Sequence, residues 1–354
     1  MPHLGHGSGP IPARIMLVGE AWGENEERAQ TPFVGVSGQE LNRMLQEAGI
    51  LRSDCYTTNL VNARPPGNDI SAWIAMKKKD ITAQHVTLRD KFVLPIIQQG
   101  YTRLLAEIEL VQPNIIVAFG NAALWALTGH WGVTKWRGSQ LKLSDTGPKV
   151  IPTIHPAAIL REWSFRPAAV TDLRRVKRNS FSREYNASQW SFTIRPSFVD
   201  VMVCLGSFID ALNTPANGGV TQWDCWLDFD LETKHGHIDC AGLSWSRTHA
   251  LCIPFMDATK PEGYWSEDEE AAIVHRLYQV LCHPDARIRG QNLLYDCQYT
   301  MRHWHFIPRV AQDTMISHHT AFAGMRKALD FQASLYCENY CQWKPDKQAW
   351  KEGG

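Results

Sequence analysis

The sequence has no surplus of charge, no long apolar run and no closely spaced pair of cysteines. Of its 354 residues, 36 are Lys or Arg and 36 are Asp or Glu, so the formal net charge is zero. Balanced charge neither favours nor excludes a nucleic-acid partner, because a local basic patch suffices for binding. The longest apolar stretch, residues 115–127, is interrupted and too short to cross a bilayer. Residues 1–12 resemble no signal peptide, and we expect a cytoplasmic protein without membrane contact.

The cysteines are equally uninformative about disulfides and metal. There are nine, none precedes Cys55, and their irregular spacing favours reduced thiols over a disulfide framework. Cys337 and Cys341, with His318 and His319, are too irregularly spaced for a usual zinc site. We therefore predict no zinc.

The first half of the chain has the pattern of an α/β domain. Short apolar runs predict strands at residues 14–19, 55–61, 114–120 and 150–154. Segments with helical periodicity separate them, which favours a mostly parallel sheet covered on both faces, a three-layer fold. Ligands bind beyond the carboxyl ends of such strands. The residues at those ends are Glu20, Asn59, Gly120 and His155.

Four segments at these strand ends carry a family resemblance. They are GEAWGENEE (19–27), TPFVGVSGQEL (31–41), TNLVNARPPGN (58–68) and IHPAAILR (154–161). In this order they resemble the motifs of the family 4 uracil-DNA glycosylases, over about residues 14–178. We assign residues 1–185 to a domain of this type, which implies uracil-containing DNA as its substrate.

The residue types suit base excision. A glycosylase must hold an extruded base by its face and its edge. Phe33 offers a face, and the Asn59 amide can pair with N3–H and O4 of uracil while rejecting cytosine. His155 can donate to uracil O2 as negative charge develops there. Glu20 is a candidate for orienting the attacking water or stabilising the sugar cation.

Each of these residues has an ordinary structural explanation when it is taken alone. Phe33 suits a core, Asn59 a turn cap, His155 a buried site and Glu20 an ion pair. Their joint occurrence at strand ends is what favours a pocket. Two departures from the family pattern bear on catalysis. Trp22 replaces the usual Pro, and residues 62–64 read Asn-Ala-Arg, without a thiol.

The missing thiols also determine the expected cofactor. Family 4 members usually hold an iron–sulfur cluster on four cysteines, two of which precede the first strand. Such a cluster requires thiolates, and this chain has none before Cys55. We therefore expect no iron–sulfur cluster.

A basic segment follows the last motif. Residues 161–195 hold eight Lys or Arg side chains, which suit either a solvated helix and linker or a surface that follows DNA phosphates. We favour the second interpretation. The candidate DNA-binding residues are Arg161, Arg174, Arg175, Lys177 and Arg178. Turn-rich residues near 213–219 lead us to predict a linker over 186–220.

The second half changes character. Three successive strands are predicted at 225–233, 239–246 and 249–255, followed by a helix at 267–282 and a strand at 286–290. A meander of strands followed by helices favours an α+β domain with a ribonuclease-H-like order, over residues 221–354.

Acidic residues in this half recur in a recognisable order. DFDLET places Asp230 and Glu232 on one side of a strand. NLLYD (292–296), QDTMISHH (312–319) and KALDFQASLY (327–336) follow. The order resembles the DEDD-type 3′–5′ proofreading exonucleases that precede family A DNA polymerases, above all those of phages. The resemblance implies that Asp230, Glu232 and Asp296 hold two Mg²⁺ or Mn²⁺ ions, in a viral protein of replication or repair.

The third motif of that family, an aromatic or His residue with a last metal-binding Asp, is not found after Trp343. Asp330 and Asp346 are poor substitutes. We expect a fragment, a split-gene product completed by a DNA polymerase chain in trans, or a degenerate copy. Two hypotheses remain: uracil excision with incomplete exonucleolytic hydrolysis, or a non-catalytic DNA-binding and docking subunit of a polymerase.

Overall fold

The computed structural model describes residues 5–185, 189–214, 226–260 and 262–343. The chain folds into two compact units. The first comprises Met1–Ala187 and Asp330–Gly354, and the second comprises Ser188–Leu329. No helix among the described residues is both long and apolar enough to span a membrane.

The first unit alternates strands and helices, as the sequence pattern predicts. Its elements before residue 187 are β1 (Ile15–Ala21), α1 (Glu24–Ala29), α2 (Val36–Ala48), β2 (Cys55–Val61), β3 (Ile74–Ala75), β4 (Val86–Leu88), β5 (Lys91–Val93), α3 (Pro95–Val111), β6 (Ile115–Phe119), α4 (Asn121–Thr128), α5 (Val133–Trp136), β7 (Leu141–Lys142), β8 (Lys149–Thr153), α6 (Pro156–Arg161) and α7 (Arg166–Asn179).

The main sheet of this unit has the order β2-β1-β6-β8-β7. Pairing is parallel from β2 to β8, and only β7 is antiparallel. Every residue of β2, β6 and β8 is buried. Because successive side chains of a strand point to opposite faces, both faces of the sheet are covered. The parallel-sheet α/β prediction is confirmed for this unit.

A second, three-stranded sheet of order β3-β5-β4 is formed by the part of the chain between β2 and α3. The sequence analysis did not predict it, because its strands have only two or three residues. Such short strands carry too little alternation to be recognised.

The second unit contains β9 (Ser191–Ile194), α8 (Phe198–Asn213), β10 (Trp226–Lys234), β11 (His237–Ser244), β12 (His249–Pro254), α9 (Glu267–Leu281), β13 (Arg287–Gly290), α10 (Leu293–Trp304), β14 (Val310–Asp313) and α11 (Thr314–Ala321). Its sheet has the order β14-β13-β10-β11-β12-β9. The β10–β12 meander is antiparallel, whereas β13 and β14 join parallel to it.

Alternation along β10 explains where its acidic residues lie. Leu227, Phe229 and Leu231 are buried in the core of the second unit. Asp230 and Glu232 lie on the opposite, exposed side of the strand.

The chain divides differently from the boundaries that the sequence suggested. Within the predicted linker, 186–220, β9 pairs with β12 and α8 packs against α9. The chain re-enters the first unit at Asp330 through α12 (Leu329–Tyr336). Residues 186–188 and 215–225 lie outside the described part. The pattern of turn residues did not show these departures, because they depend on contacts between residues far apart in sequence.

Candidate functional site

A cavity of about 760 Å³ opens at the carboxyl ends of β1, β2, β6 and β8. Glu20, Phe33, Asn59 and His155 all line it, so the structure brings together the four residues that the sequence singled out in this half. They come from three strand ends and one loop, and they converge because parallel strands end at the same edge.

The Asn59 amide is held in a fixed orientation. Its side chain is buried, and Nδ2 donates to Oδ1 of Asn62 at 3.3 Å. Asn62 in turn donates to the Gly5 carbonyl at 3.0 Å, which fixes which of its side-chain atoms is the oxygen. A Cβ on Gly19 would lie 2.2 Å from Oδ1 of Asn59, so only glycine permits this approach.

Phe33 presents a buried ring to the cavity. It stacks near His155, with ring centroids 5.8 Å apart and planes inclined by 27°, and it meets Phe119 edge-on. Its backbone has a left-handed φ of 54°, which is unusual for a residue other than glycine. Glu26 supports this loop, because its Oε1 accepts from Val34 N at 3.0 Å and from Gly35 N at 2.8 Å.

The sequence analysis missed Glu26. Its spacing was an available signal, since a Glu three residues after an N-cap can accept from the N-cap backbone N, as Oε2 of Glu26 does from Gly23 N at 3.2 Å.

The tautomer of His155 follows from its hydrogen bond. The residue caps α6, and its Nδ1 accepts from Ala157 N at 3.2 Å, so the proton of the neutral ring lies on Nε2. Burial, with a smaller contribution from the nearby Arg161, lowers the pKa of His155 to about 4. The ring is therefore a neutral Nε2–H donor at physiological pH.

The side chain of Glu20 is held by the backbone at the start of α4. Its Oε1 accepts from Ala122 N at 2.9 Å, at the amino end of α4. Burial raises the pKa of Glu20, and hydrogen bonds from backbone N–H groups of α4 oppose that rise. Gly120 has a φ of 91°, and a Cβ there would lie 2.6 Å from the Glu20 carboxyl group.

The donors near the cavity do not fit an iron–sulfur cluster. The described residues that line the cavity include no cysteine. Trp22 is buried there, and its backbone N donates to the Ala63 carbonyl at 3.2 Å. Cys55 is the first residue of β2 and so lies at the other end of this strand from the cavity. Burial raises the pKa of its thiol to about 12, which disfavours a thiolate. Within the described ranges, no three His, Cys, Asp or Glu side chains are grouped so that they could hold a metal ion.

The predicted DNA-binding residues divide into two groups. Arg161 lines the cavity and is exposed, and Arg174, Lys177 and Arg178 are exposed on α7. Arg175 is only 1% exposed and donates to main-chain carbonyls, so its prediction as a DNA contact is wrong. The sequence pattern of a basic helix did not distinguish its inward face from its outward face.

In the second unit, the three predicted metal ligands occupy different environments. Asp230 and Glu232 are exposed on β10, whereas Asp296 is 3% exposed and accepts from Leu231 N at 2.7 Å. Burial raises the pKa of Asp296 to about 6, and Asp230 contributes to the rise. Among the described residues these carboxylates are not grouped as a preformed metal site, and their assignment as metal ligands stays a prediction.

Two further acids in this unit were not predicted. Asp228 lies on β10 and pairs with Arg289 at 2.5 and 2.9 Å. Asp313 caps α11 and accepts from Leu293 N at 2.8 Å. A cavity of about 340 Å³ is lined by Asp228, Asp230 and Thr314 among others.

Comparison with known proteins places the similarity in the first unit. A family model described as the uracil DNA glycosylase superfamily matches residues 6–178. The type-4 uracil-DNA glycosylase of Thermotoga maritima is 35% identical over 175 residues, covering 48% of this chain and 80% of that protein. Its counterpart from Saccharolobus solfataricus is 32% identical over 179 residues, covering 48% and 73%. A DNA polymerase of Bacillus phage SP01 is 29% identical over 168 residues, covering 47% of this chain but 16% of the polymerase.

Proposed function

We propose that this chain, which belongs to the uracil-DNA glycosylase superfamily, removes uracil from DNA in the cavity of its first unit. The chain is accordingly a hydrolase. The observation that carries the proposal is the convergence of a fixed amide, an aromatic face and a neutral imidazole donor on one cavity.

Recognition of the base falls to Asn59 and Phe33. With its amide oriented by Asn62, Asn59 offers Oδ1 to N3–H of uracil and an Nδ2 hydrogen to O4. Cytosine presents the reverse pattern, so it would leave buried polar groups unpaired. Phe33 packs against one face of the extruded base.

Cleavage of the glycosidic bond leaves negative charge on the departing base. The Nε2–H of His155 donates to uracil O2, where that charge grows. A neutral donor suits this role, because its hydrogen bond strengthens as the oxygen becomes negative. Glu20, fixed by α4, orients the attacking water or stabilises the positive charge on the sugar.

The DNA strand is held through its phosphates. Arg161 lies at the cavity, and Arg174, Lys177 and Arg178 form an exposed basic row on α7. Arg174 also approaches Glu47 at 3.7 Å. Phosphate contacts of this kind supply most non-specific affinity. Because the base must leave the stack to enter the cavity, single-stranded or locally opened DNA is the expected partner.

For the second unit we propose a ribonuclease-H-like module related to 3′–5′ exonucleases. Support comes from its antiparallel meander with two added parallel strands, and from Asp230 and Glu232 on the exposed side of β10. Asp296 is buried and accepts from Leu231 N, whereas Asp230 and Glu232 are exposed, so the three would have to rearrange to share metal ions. We therefore expect weak hydrolysis, and a DNA polymerase chain in trans is the proposed partner, in keeping with the phage polymerase relative.

The rival proposal is a DNA-binding and docking subunit in which neither unit catalyses. Trp22 favours it, because this bulky side chain stands in the cavity wall where the family usually has Pro. The same base-excision assay separates the two proposals.

The test uses single strands that each contain one dU, dC or dT, incubated with the full chain in the presence of a chelator. Alkali then cleaves any abasic site. We expect cleavage of the dU strand alone. No cleavage of any strand would support the docking subunit, and equal cleavage of the dC strand would contradict the role of Asn59.

A further inference from the structure

Three charged side chains form a buried cluster in the first unit. Arg137, Asp172 and Arg175 are 2%, 0% and 1% exposed. The guanidinium of Arg137 holds both carboxylate oxygens of Asp172, with Nε 3.0 Å from Oδ2. A further donor of Arg137 reaches the Ala168 carbonyl at 3.2 Å.

The cluster has two positive charges and one negative charge. Buried charge is costly unless hydrogen-bond partners compensate it, so the excess requires further acceptors. Ser334 and Cys337 supply them. The Arg175 guanidinium donates to the carbonyls of Ser334 and Cys337 at 3.0 and 2.7 Å, and Arg137 donates to Ser334 Oγ at 2.5 Å.

These acceptors belong to residues 330–343, hereafter the returning segment, which follows the second unit in sequence but packs in the first. Other contacts hold it. Gln140 N donates to the Tyr340 carbonyl at 2.8 Å, and Gln140 Nε2 donates to the Glu338 carbonyl at 3.0 Å. Gln342 N donates to Ser139 Oγ at 3.1 Å.

The cluster is also joined to two walls of the cavity. Arg137 directly follows α5, and Val133 and Thr134 of α5 line the cavity. On the other side, Thr153 donates from Oγ1 to Asp172 Oδ2 at 2.7 Å. Thr153 ends β8, two residues before His155.

We propose that the returning segment positions the base-excision site by closing the Arg137–Asp172–Arg175 cluster. Arg137 and Asp172 then hold α5 and the end of β8 in fixed positions relative to each other. Ser334 is thereby a positioning residue for His155. This inference rests on the proposed function for its kinetic readout. Under this proposal, full uracil-excision activity requires the returning segment, although that segment follows the second unit in sequence.

The test compares Ser334→Ala with Ser180→Ala in the full chain. Both serines are buried in the first unit, and each donates from Oγ to the carbonyl three residues earlier, Phe331 or Lys177. Only Ser334 accepts from the cluster. We expect Ser334→Ala to lower kcat about tenfold with KM nearly unchanged, less than the roughly 10²-fold cost of a 1 Å misplacement. Ser180→Ala should match the unaltered chain.

A second readout keeps the inference separate from the proposed function. Hydrogen exchange should become faster at residues 133–137 and 150–155 in Ser334→Ala, and not in Ser180→Ala. If the unaltered chain excises no uracil, the proposed function fails and exchange alone decides this inference. Identical behaviour of the two variants would overturn it. Faster exchange with an unchanged kcat would overturn it as well, because the segment would then stabilise the fold without positioning the site.

Discussion

At the scale of single residues, the account depends most on the protonation state of His155. Its folded pKa is about 4, held low by burial, whereas an exposed histidine titrates near 6.5. The ring therefore stays a neutral donor throughout the range in which most enzymes are assayed. We expect the excision rate to show no loss from His155 protonation between pH 8 and about pH 5. A pH–rate profile in single turnover measures this, and a drop with a midpoint near 6.5 would contradict it.

The same shift has a consequence for stability. Because the folded pKa lies below the unfolded value, the unfolded chain binds a proton first as the pH falls. The contribution of His155 to stability is therefore complete above pH 6.5 and is lost progressively towards pH 4. Urea midpoints at pH 7.5 and 5 should differ less in His155→Ala than in the unaltered chain.

Removing single cavity side chains should affect chemistry and selectivity separately. His155→Ala should lower the excision rate by about 10²–10³, the usual cost of one transition-state donor. Asn59→Ala should lower the preference for uracil over cytosine, because the variant cannot make the pair of edge contacts. Asn213→Ala in the second unit is the control. Full retention of activity by both cavity variants would show that the cavity is not the site of excision.

The sequence predicted Glu20, Asn59 and His155 at one site because each lies at the end of an apolar run, and Phe33 because it belongs to a motif of the same family resemblance. It did not predict the orientation of Asn59 or the tautomer of His155. These depend on hydrogen bonds to Asn62 and to the backbone of Ala157, which form only in the folded chain.

At the scale of elements, the exposed basic side chains of α7 give the clearest prediction about DNA binding. Removing one cation that binds a phosphate should lower the slope of log K against log salt by about 0.7–0.9. Arg178→Ala should therefore weaken binding to all sequences alike and reduce that slope. Fluorescence anisotropy at several salt concentrations measures this, with Arg302→Ala in the second unit as a control. An unchanged salt slope would show that Arg178 does not contact a DNA phosphate.

The β10 strand gives a prediction for the second unit. Asp230 and Glu232 are exposed on this strand, whereas Asp296 is buried and accepts from Leu231 N, so we expect that these carboxylates would have to rearrange to hold two metal ions. We expect little 3′–5′ degradation of single-stranded DNA by this chain with Mg²⁺ or Mn²⁺. Rapid digestion that Asp230→Ala abolishes would show that the carboxylates rearrange around metal. A partner chain carrying the missing motif should raise the rate.

Most strands of the two main sheets, though not β7 or β14, were predictable because their apolar runs are bounded by turn residues. The element at 191–194 was not, since all four residues of β9 are exposed and carry no burial pattern. The pairing of β9 with β12 joins residues that are 58 positions apart in sequence, such as Ser191 and His249.

At the scale of the whole molecule, the first unit is discontinuous in sequence. The buried charges of Arg137 and Arg175 explain why residues near 334 must pack there. No local sequence pattern predicts such packing, because it depends on buried arginine side chains that need hydrogen-bond acceptors from a segment far away in sequence. The sequence thus predicted two modules in outline, but not that the chain re-enters the first.

The donor set of the first unit gives a prediction about iron. With Trp22 and Ala63 near the cavity and the Cys55 thiol held protonated, we expect no stoichiometric iron in protein purified anaerobically. Iron analysis and visible absorbance measure this. A thiolate-to-iron absorption band with stoichiometric metal would contradict the expectation that this chain holds no iron–sulfur cluster.

The central claim is that the first unit cleaves the bond between uracil and deoxyribose without metal. Its most direct measurement is mass-spectrometric detection of free uracil released from a uracil-containing single strand, in excess chelator. The unaltered chain and His155→Ala are compared. The account predicts stoichiometric release of uracil by the unaltered chain and a release rate lower by about 10²–10³ in the variant. Absence of free uracil, or equal rates for the two proteins, would contradict it.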